Sequence, residues 1–394
     1  MTVDSISPHW MDYCDRLNKK FGGKSLYHCS GLNGGQIAVI PGFIQGCSSA
    51  THKNGPPTIC EYKVANVLPS EFFAGLLKII TENQTQTGPC VGCRYLKVVN
   101  MPSNFASSFL SSISLHDFCG CNSQCIYCMG SEYQLPEKYI ASFDHVVLFQ
   151  NLLSNKLIKA DLTCISWGGG EPTLLKSFNN TVDFLHINRI RQIINTSGIQ
   201  FSPAIERALV GRTASVCVSV DSGTNETYAK VKRNPNCDSV WENIRRYAST
   251  GGDFIVKYII LSMNSDIEEV DSFVTRCQKA GAKKICISVD ARSIYTLDSD
   301  VPPITLKTLV AASAMYNLAV SKKIAPYFGE IWLPEHIDKI EQIGNINRSG
   351  ISSAEYTLIR LARRIKKVAA INLLLKNIVK PTYINARNIW RKLR

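Results

Sequence analysis

The chain has 394 residues, 45% hydrophobic and 19% charged, an ordinary globular balance that excludes collagen-like, low-complexity and wholly disordered classes. Its formal net charge of +13 is uneven: residues 348–394 hold twelve Lys or Arg against Glu355 alone, leaving about +2 for the rest. That distribution argues against the whole body as a nucleic-acid platform, because a binding face needs its charge on the folded surface.

The opening stretch MTVDSISPHWMDYCDRLNKK has no apolar h-region, so no signal peptide is expected. No apolar run approaches the length of a bilayer span, and the chain is expected in the cytoplasm. Without a secretory signal, the fifteen cysteines read as reduced thiols, with metal or cluster ligation for those that group together.

Three regions are expected. Residues 1–105 form a small Cys-rich N-terminal module, 106–325 an α/β core, and 326–394 a C-terminal extension with a basic amphipathic helix. In the first, LNGGQIAVIPGFIQGC predicts strand, turn and strand, and PSEFFAGLLKIITEN a helix capped by Ser70. In the core, FLSSISLH, LTCISW, QIINTS, ASVCVSVD, FIVKYIILSM and KKICISVD predict strands. Helical segments alternate with them, which implies parallel pairing through helical crossovers. About six such units are visible, short of the eight that close a barrel, so the expected fold is a partial (β/α)6 TIM-like barrel. In the last region, Leu358, Leu361, Ala362, Ile365, Val368 and Ala369 fall on one helical face and Arg360, Arg363, Arg364 and Lys367 on the other. Such a helix suits the core surface, an anionic partner or a membrane surface.

The segment CGCNSQCIYC holds Cys121, Cys125 and Cys128 at C-x3-C-x2-C spacing. Three thiolates leave a tetrahedral metal, or one iron of a four-iron cube, with an open position, which marks catalysis rather than structure. The bland alternative is a zinc knuckle completed by Cys119 or His116. The glycine triplet of ISWGGGEPTLL lets backbone approach a ligand closely, or is merely a turn. With period two, Cys217, Ser219 and Asp221 share a strand face, as do Cys286, Ser288 and Asp290. If that face is the barrel lumen, small polar groups line it, with each carboxylate at a strand's C-terminal end. Asp290 serves equally well as a helix cap, and Cys164, Cys217 and Cys286 read as core residues.

Cys121-x3-Cys125-x2-Cys128 with Tyr127, the Gly169-Gly170-Glu171-Pro172 element and SVDSG after the fourth strand together resemble the radical S-adenosylmethionine (radical SAM) enzymes. The resemblance covers about residues 108–325. It implies a [4Fe-4S] cluster on the three cysteines and SAM completing the open iron. It also implies a one-electron donor of flavodoxin or ferredoxin type. Reductive cleavage of SAM would yield a radical that abstracts hydrogen from a small-molecule or peptide substrate. The same resemblance puts Tyr127, Gly168, Gly169, Gly170, Glu171, Ser219, Asp221 and Asn264 on the cofactor side, and points to Arg233 as a recurrent arginine. Cys29, Cys47, Cys60, Cys90 and Cys93 resemble the ligands of an auxiliary-cluster module of SPASM or twitch type, placed here before the core instead of after it; structural zinc is the alternative. A zinc-stapled nucleic-acid-binding protein is the competing reading from another class.

Overall fold

The computed structural model describes residues 8–21, 24–33, 35–40, 43–46, 57–61, 69–85, 87–93, 96–100, 109–128, 144–295, 304–329 and 331–344. Cys47 and the amphipathic pattern of residues 350–394 lie outside the described residues.

The first third holds α1 (Pro8–Phe21), β1 (Ser25–Cys29), α2 (Ser30–Asn33), β2 (Gln36–Ile40), β3 (Phe43–Gln45) and β4 (Thr58–Glu61). It ends with α3 (Pro69–Gln84) and β5 (Leu96–Asn100). The core then runs β6 (Ser112–Leu115), α4 (His145–Ser154), β7 (Cys164–Trp167), α5 (Phe178–Ile187), β8 (Arg191–Thr196), α6 (Pro203–Val210) and β9 (Ala214–Ser219). It continues through α7 (Asn225–Lys232), α8 (Cys237–Ser249), β10 (Asp253–Ile260), α9 (Ile267–Lys279), β11 (Lys284–Val289) and α10 (Arg292–Tyr295). The last described elements are α11 (Leu306–Ser321), β12 (Ala325–Phe328) and α12 (Pro334–Gly344).

Local chemistry sets the helix starts. Ser202, Thr224 and Thr305 each accept a hydrogen bond from the backbone N–H three residues on, at 3.2 Å, capping α6, α7 and α11. Pro203 adds a preset φ at the first position of α6.

The fold is α/β with a mostly parallel sheet. The six expected strands are all present and lie side by side in the order β11-β10-β9-β8-β7-β6, every pair parallel. The sheet runs past both ends expected for the core. β12 adds parallel to β11, while β2 adds parallel to β6 and turns into the antiparallel β3 and β4. Among the described residues β12 and β4 end the sheet without pairing to each other. A hairpin pattern alone cannot say that β2 pairs with a strand more than seventy residues later, because that pairing is long-range. β1 and β5 make a separate antiparallel pair.

One sheet face is sealed beneath helices. Ile165, Trp167, Ile194, Val216, Val218, Val256, Tyr258, Ile285 and Ile287 are fully buried there. Trp167 meets Phe178 of α5 edge-on at 4.9 Å, and Tyr258 meets Phe273 of α9 at 4.6 Å. Each such apolar side chain contributes about 1.5–3 kcal/mol by leaving water. The opposite face is more open. β8 alternates buried Gln192, Ile194 and Thr196 with exposed Arg191, Ile193 and Asn195, and Ile193 is 42% exposed. Along β9, Ser215, Cys217 and Ser219 occupy this less-buried face, whereas Cys286 and Ser288 of β11 are buried. Among the described residues no helix is long and apolar enough to cross a membrane.

Candidate active site

The cysteine loop leaves β6 at Leu115. Asp117, just beyond it, is buried and paired at 2.9 Å with the equally buried His145 at the start of α4. From there the loop is held by backbone on two sides. Gly168 N donates to Leu115 O (3.0 Å), Gly170 N to Phe118 O (3.0 Å) and Glu171 N to Gly120 O (2.8 Å). At the far side Gln124 N donates to Lys232 O (3.0 Å) and Ile126 N to Val231 O (3.1 Å), docking the loop on the C-terminal turn of α7. Asn234 Nδ2 donates to Asn122 O at 2.7 Å, and Arg292 Nη2 to Ile126 O at 3.1 Å.

The glycines earn their place through this docking. A Cβ on Gly170 would stand 2.2 Å from Gly120 O, and one on Gly169, whose φ is +85°, would stand 2.3 Å from Phe118 O. Their close approach is to the cysteine loop itself, backbone against backbone.

Glu171 is buried and accepts four hydrogen bonds from protein. Its Oε1 takes Thr173 N (3.2 Å), Thr173 Oγ1 (2.6 Å) and Thr196 Oγ1 (2.6 Å); its Oε2 takes Ser197 N (2.6 Å). It therefore ties the segment after β7 to the end of β8.

Asp221 leaves the strand alternation expected for it. It lies two residues past the end of β9 with φ +58° and is fully buried. Its Oδ1 accepts from Ile259 N at 2.6 Å, while its Oδ2 accepts from the Tyr127 hydroxyl and from the ammonium of Lys232. Lys232 also donates to the Tyr127 oxygen at 2.6 Å and stands 5.2 Å from its ring centroid. Asn264 is equally committed: its Nδ2 donates to Asp221 O (2.8 Å) and Ile259 O (3.0 Å), and its Oδ1 accepts from Leu261 N (2.6 Å). The turn after Asp221 is pinned by Glu269 of α9, which accepts from Gly223 N (2.6 Å) and Thr224 N (3.0 Å). Asp290 pairs with Arg292 at 2.7 Å and accepts from Arg292 N at 3.0 Å, so it caps α10. Arg233 ends α7 in a left-handed conformation with φ +50° and is exposed. Ser219 stays on the open sheet face, opposite Lys257 of β10.

The three thiols sense one another. Burial raises Cys121, and the charges of Glu171, Cys125 and Cys128 add to it, although the residue's own surface is exposed. Cys125 is also raised by burial, opposed by the charge of Lys232 and a hydrogen bond from Tyr127. Tyr127 is driven well above the usual tyrosine range by burial first and then by Asp221 and Cys125. Burial works against the charge of Lys232, but Asp221 and Cys125 outweigh it and hold its pKa above the usual lysine value.

Among the described residues no three His, Cys, Asp or Glu side chains converge on one metal ion. A four-iron cube takes each thiolate on a different iron, so its ligands stand farther apart than those of a single ion. Three thiols on one backbone-clamped loop, in mutual electrostatic reach and beside a buried cation, fit that donor set. The N-terminal cysteines are spread over separate elements. Cys60 is pushed up to about 11 by burial and Glu71, and Cys90 is buried. Cys29 ends β1, Cys93 follows α3, and Cys14 sits in α1. Cys47, one of the five cysteines expected to hold an auxiliary cluster, lies outside the described residues.

Sequence reading missed Lys232, Glu269 and Arg292. The signal for Lys232 was present: Tyr228, Val231 and Lys232 are the buried residues of α7, an ionisable group on its apolar stripe.

Residues 116–277 match the family model of the Radical SAM superfamily. Over that segment, less than half of its length, the chain is similar to radical SAM proteins. Enzymes of this superfamily use a [4Fe-4S] cluster and SAM. The match begins at His116, where the cysteine loop leaves β6, and ends inside α9. GTP 3′,8-cyclase of Clostridium botulinum is 24% identical over 161 residues, covering 40% of this chain and 50% of the cyclase. Mycofactocin maturase MftC of Mycobacterium tuberculosis is 21% identical over 163 residues, covering 41% of this chain and 40% of the maturase. The chain thus spans about half the length, or less, of these curated relatives. Among solved structures, SuiB of Streptococcus suis bound to precursor peptide SuiA aligns with a TM-score of 0.44 at 13% identity, covering 75% of this chain and 62% of SuiB.

Proposed function

We propose that this protein is a radical SAM enzyme that holds a four-iron cluster on Cys121, Cys125 and Cys128, cleaves SAM reductively and abstracts hydrogen from a substrate C–H bond. The supporting observation is the docking of the cysteine loop, gripped by Gly168–Glu171 on one side and the end of α7 on the other. When bound, the cluster supplies the electron that splits the sulfonium of SAM. The chain's own part is to clamp the loop and to present a polar face beside it. On that face Ser219 lies opposite Lys257, Lys257 opposite Cys286, and Asn195 opposite Cys217.

This lining favours a polar, hydroxyl-rich small molecule, with oxidation, epimerisation or dehydration as the outcome. Modification of a ribosomally made peptide is the second reading, favoured by the kinship with a mycofactocin maturase. A flavodoxin- or ferredoxin-type protein supplies the electron.

Anaerobic protein reduced with dithionite in the presence of SAM should release 5′-deoxyadenosine, and the Cys125→Ala variant should not. A colourless preparation containing zinc, and no deoxyadenosine from the wild type, would overturn the proposal.

A further inference from the structure

Lys257 of β10 puts a positive charge on the open face of the sheet. Its strand neighbours Val256 and Tyr258 are fully buried on the helix side, so alternation turns the half-buried Lys257 to the other face. In register it lies opposite Ser219 of β9 on one side and Cys286 of β11 on the other. Its carbonyl accepts from Val220 N at 3.0 Å, which sets Lys257 level with the point where β9 ends. In this parallel sheet that is the end from which the cysteine loop leaves β6. A second observation places the ammonium over the same face. The Cys217 thiol, raised by burial and then by Cys286, is drawn back by the charge of Lys257.

The carboxylates around this face are already matched. Asp221 pairs with Lys232, Asp253 with Lys284 at 2.7 Å and Asp290 with Arg292 at 2.7 Å. Among the described residues no carboxylate forms an ion pair with Lys257. A half-buried ammonium is screened less by water than one on an open surface, so it attracts an anion more strongly. Ser219 brings a hydroxyl alongside, its Cα about 4.8 Å away across the strand pair.

We propose that Lys257 binds an anionic oxygen group of the substrate, a phosphate or a carboxylate, on the open face of the sheet. This deepens the reading above: it rests on that reading for the face the substrate occupies and names the anchor of the hydroxyl-rich molecule proposed there. An ammonium is a compact charge with three donors and suits either group. Ser219 supplies a further donor. No bond forms or breaks at the lysine; the reacting C–H bond lies elsewhere on the molecule.

The test is lysine footprinting of reconstituted full-length protein under anaerobic conditions. A brief pulse of acetic anhydride acetylates accessible amines, and mass spectrometry reads Lys257 together with the exposed Lys279 of α9 as reference. The probes are inorganic phosphate and malonate, each compared with chloride at equal ionic strength, with and without SAM. Lys257 should be labelled in chloride and protected at least about threefold by one probe, while Lys279 changes by less than about 1.5-fold. Stronger protection by phosphate marks a phosphorylated substrate, and by malonate a carboxylic acid. The proposal is overturned by a Lys257 that stays unlabelled in chloride, by equal labelling with and without either probe, or by the same protection at Lys279. Protection by SAM alone, to which neither probe adds, assigns the lysine to the cofactor and overturns it too. Failure of the radical chemistry shows separately: protection of Lys257 in a protein that forms no 5′-deoxyadenosine leaves the anion site standing and sinks the reaction proposed above.

Discussion

Glu171 and Thr196 are joined by a 2.6 Å hydrogen bond from the threonine hydroxyl to the carboxylate Oε1. Through it and three companions, the segment that clamps the cysteine loop is fastened to the end of β8. Hydrogen bonds to a charged group contribute about 1.5–3 kcal/mol each and add incompletely, so Glu171→Ala should cost about 3 kcal/mol of unfolding free energy. Glu171→Gln keeps one accepting oxygen but turns an NH2 toward the Ser197 N–H, and should lose about half as much. Urea denaturation of the two variants checks both values; a cost below about 1 kcal/mol for the alanine variant would show the tie to be unimportant.

The glycine argument separates steric from conformational cost. Gly170→Ala places a methyl group 2.2 Å from the backbone oxygen of Gly120, which cannot move without the cysteine loop. The expected outcome is about 2 kcal/mol of lost stability together with a lower iron content per chain. Gly251 has φ +68° and open space around it, so Gly251→Ala should cost about 1–2 kcal/mol in backbone strain and leave iron content unchanged. Equal iron in both variants would contradict the packing role of Gly170.

Cys217 carries a pH prediction. Burial first, and then the neighbouring Cys286, raise its pKa from an ordinary 9.0 to about 12. The folded state therefore keeps a proton that the unfolded chain releases. Its contribution to stability is complete below pH 9.0 and is lost as pH rises through about 12. Urea midpoints of the iron-free protein should fall from about pH 8 to about pH 11, and Cys217→Ala should flatten that decline. Parallel slopes in the two proteins would remove Cys217 as a contributor.

Asn264 offers a test of polarity at fixed size. Its amide donates to the carbonyls of Asp221 and Ile259 and its oxygen accepts from Leu261 N, all at 3.0 Å or less. Asn264→Ala should cost about 2–3 kcal/mol, because buried polar groups are left unpaired. Asn264→Asp should cost at least as much, since it sets an oxygen against two carbonyl oxygens. If aspartate is tolerated better than alanine in thermal unfolding, the donor role is wrong.

Much of this arrangement was legible before any tertiary contact was known. The β/α alternation of the core, its Cys-x-Ser lining and the three-cysteine loop follow from period and spacing, which are local properties of the chain. Each of the six expected core strands appears within a few residues of its place. Asp221 shows where that logic stops. Two-residue alternation holds only while the strand lasts, and a left-handed residue beyond its end turns the side chain into the interior.

By itself the sequence determined which atoms are available: three closely spaced thiols, a glycine-rich segment after the next strand, and alternating faces along each strand. Only the tertiary structure decided how they are used. It spent the glycines on backbone contact with the cysteine loop, committed Glu171 and Asn264 to neighbouring loops, and brought Lys232 to Tyr127 across 105 positions of chain. The reason is that hydrogen bonds and charge pairs depend on distance in space, and two residues so far apart in sequence come within reach only once the parallel strands between them have stacked.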